Sequence, residues 1–194
     1  MTPRLLKAAL ATLLLAATTA LPARAADYAQ APGSTLTFAT SYQGEVFSGR
    51  FPAFATRLSF DPAKLASSRL DVTIPLAGAV TGDGERDTTL RGADFFAAAK
   101  FPQARYVATA FRALGGNRYA ADGQLTLRGV ARPVTLTFTW TPGATPVLAG
   151  RATIRRLDFG VGGGDWADTS IIPNEVAVST RVVLRPVAAA AAGK

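Results

Sequence analysis

The chain has 194 residues, a formal net charge of +8, no cysteine and no histidine. The absence of these two residue types excludes disulfides, a cysteine nucleophile, a serine–histidine–aspartate triad and an ordinary zinc, copper or haem site built from protein ligands. The 21 lysine and arginine residues are scattered singly along the chain, so the basic charge does not predict a nucleic-acid-binding surface.

The first 25 residues have the pattern of a secretory signal peptide. Arg4 and Lys7 precede an apolar run rich in alanine, and Ala23 and Ala25 are the small residues that a signal peptidase reads. The run is too short and too rich in alanine and threonine to favour a membrane anchor. We therefore expect export with cleavage after about Ala25, a single folded domain over residues 26–186, and a disordered tail over residues 187–194.

Alternation of apolar and polar residues with period two dominates the next part of the chain and predicts β-strands. It begins at STLTFATSYQ (34–43) and continues through GEVFSGRF, FATRLSFDP and SRLDVTIPLAG. Phe54, Leu58 and Phe60 share one face of their strand. Ile74 precedes a proline, which favours a strand end or a sheet edge over a central position.

The stretch VTGDGERDTTLRGADFFAAAKFP interrupts this alternation. Its glycines break any strand, and ADFFAAAK (93–100) predicts a short helix that begins near Asp94 and is closed by the following Phe-Pro pair. Phe95 and Phe96 must pack onto another element, and we expect them to lie across one end of the sheet. Asp87 is expected to cap the turn that follows it.

The remainder of the chain returns to alternation. The clearest stretch is GQLTLRGVARPVTLTFTW (123–140), which predicts an antiparallel hairpin with one apolar face, and NEVAVSTRVVLRP predicts the last strand. We count about eight strands with no alternation of strand and helix, so the domain is expected to be all-β and antiparallel. Periodicity alone leaves a two-sheet sandwich and a closed barrel equally open.

A series of short motifs, in its order and spacing, resembles the YceI-like family of exported polyisoprenoid-binding proteins. The motifs are STLTF, GRF, FDP, RDTTLRGADFF, FP, a tyrosine followed by LTLRG, RPV and RLDFGVG, and they run through nearly the whole chain after the leader. The resemblance implies an eight-stranded antiparallel lipocalin-like barrel with one short helix covering one end. It also implies an interior that holds a long isoprenoid chain, as in a polyprenyl phosphate or an isoprenoid quinone.

Two features distinguish this chain within the resemblance. Many members of the family carry a histidine shortly after the first strand, where this chain has Tyr42 and Gln43. The stretch GGGDWADTS (162–170) resembles a branch whose members lie beside, or are fused to, a membrane b-type cytochrome. This branch implies a quinone-related role and such a cytochrome as a partner. Trp166 in this stretch would close the barrel mouth or contact a membrane surface.

The apolar side chains on the inward face are the candidate ligand-binding residues. They would line a cavity if the barrel is hollow, and they would form a solid core if it is close-packed. The candidates are Phe38, Phe54, Leu58, Phe60, Ile74, Phe95, Phe96, Leu125, Leu127, Leu136, Phe138 and Trp140. Arg86 and Arg91 are candidates to contact a phosphate or quinone oxygen at the mouth, with surface salt bridges as the alternative.

The sequence thus predicts a periplasmic carrier for a long isoprenoid lipid or quinone, with no other cofactor, no metal and no nucleic-acid partner. Glu45, Glu85 and Glu175 fall at turns or strand ends, so no inward pair of carboxylates predicts an enzyme. The alternative is a solid-cored periplasmic scaffold or stress-related interaction module that binds no small ligand. An open edge after the strand that ends at Pro75 would permit a homodimer.

Overall fold

The structure is a computed structural model that describes residues 26–187. The predicted signal peptide, and the predicted tail beyond residue 187, lie outside the described residues. Within them, ten antiparallel strands form one sheet. The strands are β1 (Ala26–Gln30), β2 (Thr35–Tyr42), β3 (Glu45–Arg50), β4 (Ala55–Phe60), β5 (Arg69–Pro75), β6 (Gln103–Gly115), β7 (Arg118–Leu127), β8 (Val130–Thr141), β9 (Val147–Arg155) and β10 (Glu175–Pro186).

The sheet closes on itself through β10. Along one edge β10 pairs with β9, and along the other it pairs first with β2 and then, at Leu184–Pro186, with β1. Because β1 also pairs with β4, the strands β1 and β4–β10 form a closed ring of eight, and the β2–β3 hairpin extends the wall at one end. The predicted eight-stranded antiparallel barrel is therefore confirmed, and the sandwich is excluded.

The described residues contain one short α-helix, as predicted, but it lies at other residues than expected. The helix α1 spans Gly84–Arg91, whereas ADFFAAAK (93–100) forms a series of turns. Asp83 starts α1 because its carboxylate accepts hydrogen bonds from the backbone N–H groups of Glu85 and Arg86, at 3.0 and 2.9 Å. Asp83 is a typical helix-capping residue, whereas the prediction relied on the later, more apolar segment.

Asp87 also has a different role from the expected one. Its carboxylate accepts from the backbone N–H and the hydroxyl of Thr81, both at 2.7 Å, so it holds the loop before α1 instead of capping a turn after it. These donors, the hydroxyl first, keep the pKa of Asp87 below its usual value. Phe95 and Phe96 are buried as expected, and they lie at the same end of the barrel as α1.

The strand ending at Pro75 is not a sheet edge. β5 pairs with β4 on one side and with β6 on the other, and the proline is tolerated because it is the last residue of the strand. The expected open edge for a homodimer is therefore wrong. Among the described strands, β3 has a single ladder partner, β2, and its one further backbone pairing is an isolated bridge between Arg50 and Val80.

The end of the barrel away from α1 is filled by aromatic side chains, which we call the plug. Phe60, which is 1% exposed, has four ring neighbours with centroids 5.0–6.0 Å away. These neighbours are Phe111, Tyr119, Phe138 and Trp140. Tyr28 of β1 meets Trp140 at 5.4 Å, so the strand that closes the ring also packs on the plug.

We predict that Phe60→Ala lowers the free energy of unfolding by about 3–5 kcal/mol, because it empties the centre of the plug. Denaturant unfolding of the purified protein measures this loss. Val46→Ala is the control, since Val46 is 81% exposed and its truncation should change stability by no more than about 0.5 kcal/mol. Equal effects of the two variants would contradict the role given to the plug.

Candidate functional site

The other half of the barrel is hollow. A cavity of about 460 Å³ lies between the plug and α1, and most of its lining is aliphatic or aromatic. It reaches the surface between the tip of the β2–β3 hairpin and α1, where Tyr42 is 40% exposed and Glu85 is also exposed. At the opposite end it stops at the plug. The site is therefore an apolar pocket that ends at the plug, not a passage along the whole barrel axis.

The structure divides the candidate ligand-binding residues into two groups. Those that line the cavity are Phe38, Ile74, Phe95, Phe96, Leu125, Leu127 and Leu136. Those buried outside its lining are Phe54, Leu58, Phe60, Phe138 and Trp140. Alternation specifies which face of a strand a residue occupies, but it does not specify the depth at which the residue lies in the barrel. The sequence left a cavity and a solid core as alternatives. Each of them describes a different part of the interior.

Several lining residues were absent from the candidate set although their sequence signal was present. Val176 and Val178 of β10 belong to the same alternating pattern as the chosen residues, and Tyr42 and Phe47 flank the turn of the β2–β3 hairpin. Ala152 and Ile154 of β9 are further members, in a strand rich in arginine and small residues. The candidate set was weighted towards aromatic and leucine side chains.

The mouth is bordered by a contact between α1 and the edge strand β3. The Arg86 guanidinium lies over the Phe47 ring, 4.3 Å from the ring centroid, and its Nη2 is 3.8 Å from a carboxylate oxygen of Asp83. Arg86 lines the cavity, as expected of a residue at the mouth, whereas Arg91 does not. The salt-bridge alternative therefore describes part of the environment of Arg86.

A chain of aromatic contacts continues around the covered end of the barrel. Phe38 meets Phe51 at 5.5 Å between ring centroids, Phe51 meets Phe96 at 5.9 Å, and Phe95 meets Trp166 at 5.5 Å. Trp166 lines the cavity from the long connection between β9 and β10. The turns after α1 and this connection together cover the end of the barrel beside the mouth.

Arg156 organises the connection that carries Trp166. Its guanidinium is buried, with the residue 3% exposed, and it donates to the backbone carbonyls of Pro173, Val161, Gly162, Trp166 and Ile172. Burial lowers its pKa from the usual arginine value. Gly162 permits this approach, because a Cβ at that position would lie 2.6 Å from Nη1 of Arg156.

Hydroxyl groups in the cavity wall differ in whether they have a partner. The Tyr106 hydroxyl lies 2.7 Å from the carbonyl of Ala121 and 3.1 Å from that of Val134, and burial raises its pKa. The Oγ1 atoms of Thr40 and Thr56 are buried and have no hydrogen-bond partner in the protein. Both threonines line the cavity, so these two hydroxyls are free to bond to a bound molecule.

Metal sites and membrane-spanning helices are both absent from residues 26–187. These residues contain no group of three or more acidic side chains placed to hold a metal ion. No helix in this range has the length and hydropathy required to cross a membrane.

A closed antiparallel barrel with a blind apolar cavity is the architecture of the small ligand-binding barrels. The family model of the YceI-like domain matches residues 29–184, and the chain belongs to this family. Among its relatives, a UPF0312 protein of Pseudomonas syringae pv. syringae is 33% identical over 166 residues, which cover 80% of this chain and 85% of the relative. A UPF0312 protein of Shewanella denitrificans is 36% identical over 129 residues, covering 63% and 68%.

Solved structures show the same fold. The structure of BcnA from Burkholderia cenocepacia superposes with a TM-score of 0.74 at 36% identity, covering 77% of this chain and 95% of BcnA. A polyisoprenoid binding domain from Saccharophagus degradans, described as implicated in plant cell wall breakdown, superposes with a TM-score of 0.65 at 17% identity. It covers 84% of this chain and 99% of that domain, and at this identity the likeness concerns the fold alone.

We predict that Arg156→Met lowers the free energy of unfolding by about 3 kcal/mol or more, because each buried carbonyl left without a donor costs about 1–3 kcal/mol. Denaturant unfolding measures the change. Arg155→Met is the matched control, since Arg155 is exposed and pairs with Asp158 at 3.6 Å, a contact expected to contribute about 1 kcal/mol at most. A mild effect at Arg156 would show that the connection does not depend on it.

Proposed function

We propose that this protein binds a long isoprenoid lipid inside the barrel and acts as a periplasmic carrier or store for it. The observation that carries the proposal is the blind apolar cavity of about 460 Å³ with a mouth at the surface. This volume lies within the roughly 300–1,000 Å³ typical of small-molecule sites. The proposal is one of binding and involves no covalent step.

The shape of the lining favours a slender ligand. Cavity-lining residues recur every second position over residues 36–42 of β2 and 176–182 of β10. Each span covers about 20 Å along its strand at about 3.3 Å per residue, and strand tilt shortens the depth along the barrel axis. A narrow pocket of this depth suits a linear hydrocarbon tail better than a compact ring system.

Burial of such a tail supplies enough free energy for stable binding. Each buried methylene-sized group contributes about 0.8 kcal/mol, so each five-carbon unit contributes roughly 3–4 kcal/mol before losses. Association costs about 4–15 kcal/mol in lost translational and rotational freedom. Three or more isoprene units are therefore needed for useful affinity, and a short hydrocarbon would bind poorly.

The relatives and the leader support the same proposal. The Saccharophagus degradans domain that shares this fold is described as polyisoprenoid binding. The first 25 residues of this chain read as an export signal, which supports a location where membrane isoprenoids are within reach. The b-type cytochrome expected from the GGGDWADTS stretch remains a proposed partner, and it would fit an isoprenoid quinone as the cargo.

The direct test is extraction of the purified protein with organic solvent, followed by mass spectrometry. The protein is expressed with its leader in a bacterium that makes isoprenoid quinones and polyprenyl carriers. We expect an isoprenoid near one molecule per chain, and we expect added long-chain quinone to raise the melting temperature of stripped protein. An empty extract combined with an unchanged melting temperature would contradict the proposal.

A pair of tryptophan substitutions separates the cavity from the plug. Leu136→Trp places the ring in the cavity, so we expect little loss of stability but a loss of lipid uptake. Leu58→Trp places the same ring in the filled half of the barrel, where overpacking should cost about 1–3 kcal/mol. Thermal unfolding and lipid extraction of both variants measure the two effects. Strong destabilisation by Leu136→Trp would contradict a hollow interior at that depth.

A further inference from the structure

The charges and hydroxyls of the cavity distinguish between the two kinds of head that an isoprenoid can carry. We propose that the cavity selects an electrically neutral isoprenoid with a hydroxyl or carbonyl oxygen, such as a polyprenol or a quinone, over an isoprenyl phosphate. The inference rests on the proposed function and specifies its ligand class. Three structural features that usually attract phosphate border this cavity, and each is already engaged within the protein.

The first feature is the N-terminus of α1. Free backbone N–H groups at a helix start attract anions, and phosphates often bind there. Here the carboxylate of Asp83 takes that position, with hydrogen bonds of 3.0 and 2.9 Å from the N–H groups of Glu85 and Arg86. A phosphate would have to displace a carboxylate that belongs to the chain itself.

The second feature is Arg86, the cationic side chain nearest the mouth among the described lining residues. Its guanidinium already lies 4.3 Å from the centroid of the Phe47 ring and 3.8 Å from the carboxylate of Asp83. Glu85 also borders the cavity here. Among the lining side chains, the mouth therefore presents two carboxylates against one guanidinium, which opposes the entry of a phosphate.

The third feature is the buried guanidinium of Arg156. A guanidinium has five N–H donors, and the five carbonyls of the β9–β10 connection accept from Nε, Nη1 and Nη2 of Arg156. No donor remains for a phosphate oxygen, and the surrounding carbonyl oxygens offset the positive charge. Asp83, Glu85, Arg86 and Arg156 are the four charged residues that line the cavity within the described chain.

Neutral hydrogen-bonding capacity, in contrast, is available in the wall. Thr56 is 3% exposed and its Oγ1 has no partner, and the Oγ1 of Thr40 is likewise buried and unpaired. Thr40 is opposite Phe47 in the β2–β3 ladder, near the mouth. Thr56 is deeper: it is opposite Val72, and the next inward-facing residue of its strand is Leu58, in the filled half. A hydroxyl donates and accepts, so either threonine can bond to an alcohol or a carbonyl oxygen.

The test compares ligands with the same tail and different heads. Stripped mature protein is titrated at neutral pH with geranylgeraniol, geranylgeranyl monophosphate and the corresponding hydrocarbon, each in competition with a fluorescent apolar probe. We expect the alcohol to bind about tenfold or more tightly than the monophosphate, because the phosphate loses hydration and faces the mouth carboxylates. We also expect the double variant Asp83→Asn, Glu85→Gln to narrow this ratio, because it removes both carboxylates from the mouth. Asparagine still caps α1, so the helix should be retained.

Two further variants test the threonine hydroxyls, and a third variant serves as a control. Thr40→Val and Thr56→Val remove one hydroxyl each, and at least one should reduce the affinity for the alcohol relative to the hydrocarbon by about two- to tenfold. Asp61→Asn removes a carboxylate just after β4, next to the plug, and should leave the ratio of alcohol to phosphate unchanged.

The outcomes separate this inference from the proposed function. Equal or tighter binding of the monophosphate would overturn the selectivity for neutral heads while leaving isoprenoid binding intact. An unchanged ratio in the Asp83–Glu85 double variant, or no effect of either threonine variant, would overturn the corresponding part of the recognition. If none of the three ligands binds, the proposed function fails and this inference fails with it.

Discussion

The closure of the sheet through β10 is the constraint on which the rest of the structure depends. β10 pairs with β9 along one edge, and with β2 and then β1 along the other, so a five-residue strand completes the ring. The chain contains no cysteine, and closure therefore rests on backbone hydrogen bonds and on packing. An eight-stranded ring has an interior just wide enough to be filled by side chains or to hold one slender ligand.

This barrel does both, at different depths. At the plug, Phe60 and its ring neighbours occupy the interior, and Tyr28 of the closing strand β1 packs against them. Beyond the plug, the same inward alternation continues with aliphatic side chains that leave the centre open. The packing of the filled half stabilises the ring. The barrel can therefore stay folded although the side chains around the cavity lack the van der Waals contacts of a packed interior.

The charged groups at the covered end show how a buried charge can serve structure. Arg156 lies against the cavity, yet all of its hydrogen bonds go to the connection that carries Trp166. Arg86 likewise joins α1 to the edge strand β3, and Asp83 caps the start of α1. A residue type that often binds phosphate is therefore insufficient to assign a phosphate site, because the partners it already has decide what it can still bind.

The amino-acid sequence by itself determined most of the strands after residue 34, their inward faces and the exclusion of histidine and cysteine chemistry, because alternation and composition are local properties. It did not indicate β1, the short strand that closes the ring. The sequence also contained the cap of α1 at Asp83, but the apolar ADFFAAAK segment was the more conspicuous helix signal and was misleading. Only the tertiary structure decided that Leu136 borders a cavity while Leu58 and Phe138 lie outside it, since depth depends on strand register and tilt around the closed ring. It also decided which polar groups were left without partners, because Thr40 and Thr56 could be recognised as unpaired only after every neighbouring strand was in place.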